Sequence, residues 1–227
     1  MKSKLNIFNK YIIPFRFRKF YKEYKNSSFN LLDVGCGPYN VLKTKIVFPK
    51  CNYYGLDKCI YNVKGSGYDL MKDYYNIDLL NGDLSKVPDN FFDVVMCLHV
   101  LEHITNGLYI VEELTKKVKP NGRIYIEFPS VRTLSLPSIP ATFNFCDDDT
   151  HIRLYSIQEI VNILLSKSFK IIRAGKKRDI FRILLMPVYY VVDRYYYKHG
   201  YAGAFYDILG WAEYVYAQKR EMLKSNI

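Results

Sequence analysis

The chain has 227 residues, 49% of them apolar and 24% charged, with a formal net charge of +11. That balance excludes a disordered tail or a disulfide-stapled miniprotein and suits one domain with a buried core. The charge is concentrated. Residues 1–25 carry Lys2, Lys4, Lys10, Arg16, Arg18, Lys19, Lys22 and Lys25 against Glu23 alone, and residues 176–198 carry Lys176, Lys177, Arg178, Arg182, Arg194 and Lys198 against Asp179 and Asp193. Such an excess favours an anionic partner, whether a nucleotide-linked substrate, a phospholipid surface or nucleic acid.

The elements then alternate as in an α/β domain. Phe29–Val34 reads as a strand ended by the turn Gly35-Cys36-Gly37-Pro38, and Asn52–Leu56 as a second stopping at Asp57. Ile77 to Leu80 reads as a short third strand before Asn81-Gly82-Asp83. Phe92–Cys97 has the branched, apolar run of a strand buried on both faces. Ile110–Val118 has helical spacing and is stopped by Pro120-Asn121-Gly122, after which Arg123–Phe128 returns as a strand. Ser156–Ser166 reads as an amphipathic helix with Ser156 and Glu159 forming a capping box. Phe169–Ala174 and Glu213–Lys219 complete the strands. The expected organisation is a single domain, 1–227: a basic aromatic extension (1–28), a core (29–175), and an insertion or lid (176–210) before a last strand at 213–219.

The five cysteines, Cys36, Cys51, Cys59, Cys97 and Cys146, show no paired metal-ligand spacing and read as reduced thiols of a cytoplasmic protein. Met1–Phe20 lacks the apolar stretch of a signal peptide. The longest apolar run, Ile180–Val192, is interrupted by Arg182 and Pro187 and is too short to span a bilayer.

An acidic residue ending a buried strand and followed by Gly-x-Gly, as in Asp33-Val34-Gly35-Cys36-Gly37, lets the chain turn sharply and a ligand approach the backbone. Asn40 stands where the dinucleotide fingerprint would place its third glycine, which argues against NAD. Asp57, 20 residues after Gly37, is placed to accept from ribose hydroxyls, and Asp83 from an adenine amino group with Leu84 against the ring.

The ordered set LLDVGCG, YYGLD, NGDL, FFDVVMCLHVLEHI and KPNGRIYIEFP resembles the class I S-adenosylmethionine-dependent methyltransferase family, chiefly over Phe29 to Phe128. The resemblance implies a Rossmann-like, seven-stranded, mostly parallel sheet with an antiparallel last strand and helices on both faces. It implies S-adenosylmethionine as cofactor, with Asp33, Gly35 and Gly37 at the methionine part, Asp57 at the ribose, Asp83 and Leu84 at the adenine, Cys97, Leu98 and His99 near the sulfonium, and Cys36 and Lys58 among the cofactor-binding residues. His99 and His151 are the candidate catalytic groups, since histidine can act as a base near neutral pH, and His151 and Arg153 the candidate substrate contacts. The spacing of His99 and His103 would also suit a metal pair, but no metal is assigned, and Glu102 and His103 read as structural.

The expected acceptor is a small molecule, anionic or carbohydrate: a hydroxyl of a sugar, nucleotide-sugar or surface-polysaccharide precursor. The alternative is a lipid-linked or quinone-like acceptor met at the inner membrane face, where basic residues interleaved with apolar ones would lie on anionic lipid. RNA is disfavoured because no RNA-binding module is recognisable. A non-catalytic cofactor-binding protein is disfavoured because every cofactor position holds the expected residue type.

Overall fold

The computed structural model describes residues 13–138, 143–192 and 202–221. Seven strands, β1 (Phe29–Val34), β2 (Cys51–Asp57), β3 (Asp73–Asn76), β4 (Phe92–Leu98), β5 (Val118–Pro129), β6 (Phe169–Lys176) and β7 (Ala212–Lys219), form one sheet in the order β3-β2-β1-β4-β5-β7-β6. β1 pairs in parallel with β2 on one side and β4 on the other. β7 alone runs antiparallel, inserted between β5 and β6. The strand order therefore reverses beside β1, and the crevice for a ligand lies at the carboxyl ends of β1 and β4.

Period-two alternation along the central strands sends side chains to opposite faces. Leu32, Val34, Val95, Cys97, Ile124 and Ile126 face α4 (Gly107–Lys117) and α5 (Ile157–Ser166), from which Ile110, Leu114, Ile160 and Leu164 complete the core. Leu31, Tyr53, Val94, Met96 and Tyr125 face the other way and are covered by α1 (Phe15–Arg18), α2 (Tyr21–Tyr24) and α3 (Asn40–Val47). Phe17 and Phe20 of the extension are buried against Phe48, stacked or edge-on, with ring centroids 5.5 and 5.3 Å away. The described part of the basic aromatic extension is thus one wall of the core.

The expected third strand at Ile77–Leu80 is displaced. β3 lies four residues earlier, built on Tyr74 and Tyr75, and Leu79–Asn81 is a 3-10 turn in which the Asp78 carboxylate accepts from the Leu80 amide at 3.0 Å. The apolar residues Ile77, Leu79 and Leu80 imitate a strand, but the Asp78 cap and the left-handed Gly82 (φ +69°) curl them into a turn.

The insertion folds into α6 (Ile180–Leu184), α7 (Met186–Val192) and α8 (Ala202–Leu209). Asp179 accepts from both Arg18 guanidinium nitrogens at 3.0 and 2.8 Å, so the insertion is tied to the extension. Among the described residues no helix is long and apolar enough to cross a membrane.

One loop decides where the site residues fall. Between β5 and α5 the chain returns over the turn Leu101–His103: the amides of Ile152 and Arg153 donate to the Glu102 carbonyl at 2.9 and 3.3 Å. The buried Tyr155 hydroxyl donates to the Ile104 carbonyl at 2.5 Å and accepts from the Gly107 amide at 3.1 Å. Tyr155→Phe should leave both backbone groups buried and unpaired, a cost of about 1–3 kcal/mol. Urea unfolding should show a lower midpoint with an unchanged slope.

Candidate functional site

The glycine turn after β1 is held from two sides. Gly35 and Gly37 adopt φ of +70° and +55°, a region that disfavours side chains. The amides of Gly35 and Cys36 donate to the Leu56 carbonyl at 2.8 and 3.2 Å. Asp57 accepts from the Gly37 amide at 2.9 Å and from its neighbour Lys58 at 2.8 Å. A side chain on Gly35 would collide with Val100, whereas a methyl on Gly37 would meet nothing within 4 Å. The loop is therefore packed beneath Gly35 and open above Gly37, as a ligand lying on the backbone requires.

Asp33 is fully buried at the end of β1. Tyr53 donates to its Oδ2 at 2.6 Å, while Oδ1 has no partner. Burial pushes the carboxyl up to about 6 against the opposing pull of Tyr53 and the Arg16 charge. Arg16, reaching in from α1, has a buried Nε that is likewise unpartnered. One unpartnered acceptor and one unpartnered donor in the same crevice match the ammonium and carboxylate of an amino-acid group, so these residues fit the methionine end of S-adenosylmethionine.

The remaining expected cofactor residues are distributed unevenly. The side chains of Cys36 and Cys97 are buried in opposite faces of the core, burial raising both thiols well above their usual range, so only their backbone can reach a ligand. Leu98 is half-buried, packed against the face formed with α1 to α3. Lys58 is exposed. Leu84 is buried in the core. Asp83 is exposed, caps the Ser85 amide at 2.8 Å, and lines a groove of about 650 Å³ with Tyr109, Glu113 and Lys116. With β3 ending at Asn76, the first carboxylate beyond it is Asp78, and the Ile77 amide bonds the Asp57 carbonyl at 3.0 Å beside it. Sequence reasoning passed over Asp78 because the strand was placed four residues too late.

His99 lies at the carboxyl end of β4 in a left-handed conformation (φ +54°), strained for a non-glycine residue. Its Nδ1 is 3.2 Å from Glu102 and its Nε2 3.0 Å from Glu127. Glu127, itself buried, also accepts from Lys177 at 2.7 Å and from the Tyr125 hydroxyl at 2.6 Å. Burial opposes the charged ring, yet the bonds and charges of the two carboxylates outweigh it and raise His99 to about 9. Burial likewise opposes ionised Glu127, but Lys177 and His99 hold it well below the usual carboxylate range. At neutral pH His99 is thus an imidazolium with both nitrogens engaged and no lone pair for a proton. A cavity of about 200 Å³ opens beside it, lined by Lys177, Arg182, Tyr206, Asp207 and Trp211. Of these partners, Glu127 left a signal in the sequence, as the one charge within the apolar run Ile124–Phe128; Lys177 and Trp211 left none.

His151 packs on Phe145 (ring centroids 4.6 Å) and beside His103 (4.8 Å), with Nδ1 2.7 Å from the Phe145 carbonyl. Arg153 pairs with Glu159 at 3.0 Å and lies over the Tyr155 ring, which makes it an anchor for the loop. His151 and His99 belong to adjoining clusters joined through Glu102.

A raised histidine pKa stabilises the fold fully below the unfolded value of about 6.5 and ceases to do so as pH rises through about 9. NMR titration of the His99 ring should therefore give a midpoint near 9. Glu127→Gln should move it downward and flatten the loss of thermal stability between neutral and alkaline pH.

The family described as "Methyltransferase domain" matches residues 8–174. A ubiquinone biosynthesis O-methyltransferase of Rickettsia conorii is 30% identical over 101 residues, 44% of this chain but only 35% of that protein's length. A SAM-dependent methyltransferase from Archaeoglobus fulgidus superposes with a TM-score of 0.53 at 20% identity, covering 90% of this chain and 91% of the other. A Haemonchus contortus phosphoethanolamine N-methyltransferase 2, in complex with phosphomonomethylethanolamine and S-adenosylhomocysteine, gives 0.61 at 15% identity over 91% of this chain and 52% of its own. The chain belongs to the methyltransferase domain family, with S-adenosylmethionine as its cofactor.

Proposed function

We propose that the protein transfers the methyl group of S-adenosylmethionine to a hydroxyl of an apolar, quinone-like acceptor met at a membrane surface. The observation that carries this reading is the outer face of the insertion: Ile180, Phe181, Leu184, Val188 and Val191 are each 48% exposed or more. An apolar strip of this kind on a water-facing helix pair marks an interaction surface. Arg182, from the same helix, lines the cavity beside His99, so the strip adjoins the site. The similarity to ubiquinone biosynthesis O-methyltransferases supports the same class of acceptor.

In this reading Asp33 takes the ammonium and Arg16 the carboxylate of the cofactor, Asp57 turns from the Gly37 amide to the ribose hydroxyls, and Asp78 takes the adenine in place of Asp83. Methyl transfer is an in-line displacement, and the residues contribute mainly by aligning nucleophile and methyl group, an effect worth about 7–11 kcal/mol. His99, charged and clamped between Glu102 and Glu127, positions the acceptor as a hydrogen-bond donor when one carboxylate releases it. The S–CH3 electron pair stays on the sulfur of S-adenosylhomocysteine as the O–CH3 bond forms, and the hydroxyl's proton, which the imidazolium of His99 cannot take, leaves to water on the acceptor side bordered by His151. A sugar hydroxyl is the second reading, favoured by the stacked Tyr206 and Trp211 rings, 4.7 Å apart, which offer an aromatic platform in the cavity.

Calorimetric titration with S-adenosylhomocysteine should show micromolar binding. Asp57→Ala should weaken it by about 1.5–3 kcal/mol, the worth of hydrogen bonds to a charged group, or about 10- to 150-fold. Asp78→Ala should weaken it more than Asp83→Ala, and the reverse order would return the adenine to Asp83. For the acceptor, S-adenosylhomocysteine release should be faster with an alkylated catechol in anionic vesicles than with a nucleotide-sugar. Phe181→Ser with Leu184→Ser should slow only the vesicle reaction, whereas turnover of the nucleotide-sugar alone would establish the second reading.

A further inference from the structure

The cluster beneath the acceptor side is built of groups that do not satisfy one another. A carboxylate oxygen of Glu102, a ring nitrogen of His103 and a ring nitrogen of His151 lie within 4.8 Å of one another. Glu102 Oε1 is engaged by His99, but Oε2 is buried with no hydrogen-bond partner, on a side chain only 1% exposed. An unpartnered oxygen on a buried carboxylate costs the full desolvation of that group unless something cationic repays it.

Both histidines are engaged through Nδ1. His103 Nδ1 sits 3.2 Å from the Thr150 carbonyl and 2.9 Å from its hydroxyl, and His151 Nδ1 sits 2.7 Å from the Phe145 carbonyl. A carbonyl can only accept, so the proton of each ring belongs on Nδ1 and the lone pair on Nε2. Fixing of this kind, by a backbone carbonyl on the far ring nitrogen, is how metal-binding histidines are oriented. The nearest charge to His151 Nε2 is Asp148 Oδ2 at 3.8 Å, beyond hydrogen-bonding distance. The two halves of the cluster are joined by the bonds from the Ile152 and Arg153 amides to the Glu102 carbonyl, so the arrangement is preorganised.

We propose that Glu102, His103 and His151 form a binding site for a divalent transition metal of the zinc class, with an open position toward the acceptor side. Two imidazoles and one carboxylate suit zinc, iron or manganese far better than calcium or magnesium, which prefer oxygen. Ligands about 2.0–2.1 Å from zinc stand roughly 3.4 Å apart, so the cluster must close by somewhat more than 1 Å, within reach of side-chain torsions. The pair of histidines that the sequence spacing singles out, His99 and His103, is not the one the fold assembles: His99 is turned away between its two carboxylates, and His151, 48 residues beyond His103, replaces it. A metal there would supply Lewis-acid charge to an acceptor oxygen. That consequence rests on the proposed O-methylation; the site itself does not.

The test is metal binding without turnover. Full-length protein stripped with a chelator is titrated with Co²⁺ and followed by visible d–d absorption, then back-titrated with Zn²⁺. One equivalent should saturate the band and Zn²⁺ should displace it. Two of the four histidines should show paramagnetically shifted imidazole protons in the cobalt form. Loss of a supporting partner of a metal-binding histidine costs about 10- to 100-fold in affinity, so His103→Asn and His151→Asn should each weaken binding at least about 10-fold. The proposal is overturned by the absence of a saturable band, by a thiolate charge-transfer band placing the metal on cysteine, or by undiminished binding in both variants. Should a variant fail to fold, the proton shifts of the unaltered protein decide alone. Because no methyl acceptor enters the assay, its failure leaves the proposed O-methylation standing, and failure of that reading leaves the metal result intact.

Discussion

Two carboxylates, Glu102 and Glu127, are buried at the carboxyl ends of the central strands, and the groups that neutralise them organise everything around the site. Taking an ion out of water costs several kcal/mol unless opposite charge and hydrogen bonds are in place. Glu127 draws in Lys177 from the start of the insertion and His99 from the end of β4, and takes the Tyr125 hydroxyl on its second oxygen. Glu102 takes the other face of His99 and, through its backbone carbonyl, holds down the loop that carries His151. The strained backbone at His99 is sustained by this double engagement. Removing either carboxylate would free the ring and loosen the loop and insertion that meet around it.

The same logic of opposite charges joins the parts that lie outside the sheet. Arg18 of the extension pairs with the buried Asp179, whose amide donates to Asp207, and Arg182 pairs with Asp207 in turn. The extension is thereby coupled to the insertion across the mouth of the crevice, while its phenylalanines are absorbed into the core. Of the basic residues in these two segments, Arg18, Lys177 and Arg182 are answered by carboxylates within the chain, whereas the buried Nε of Arg16 meets no hydrogen-bond acceptor.

A division of labour follows along the crevice. The β1–β2 side offers open backbone, one buried acceptor and one buried donor, the polarity of an amino-acid end. The β4–β5 side offers aromatic rings, fixed charge and an apolar approach. A methyl group passed between two such halves needs little from the protein besides alignment. The imidazolium of His99 is suited to orienting an oxygen and unsuited to removing its proton at neutral pH.

The strands β1, β2 and β4, the glycine turn, Asp57 at the end of the second strand and the Ser156–Glu159 capping box were all legible in the residues, because each is set by local periodicity, backbone freedom or a side chain bonding within its own turn. The third strand was misread because Ile77, Leu79 and Leu80 satisfy a strand pattern that a local cap overrides. What the residues in order could not reveal was pairing across distance. Glu127 with Lys177 and His99, Arg18 with Asp179, and Glu102 with His103 and His151 bring together side chains up to 161 positions apart, and no periodicity encodes which of many charges will share a crevice. The glycine turn and Asp57 could be read in sequence because they stand at the ends of successive strands. The surroundings of His99, Glu102 and Glu127 were decided by the tertiary structure, because burial selects partners only once the sheet, the returning loop and the insertion have closed over the same few carboxylates.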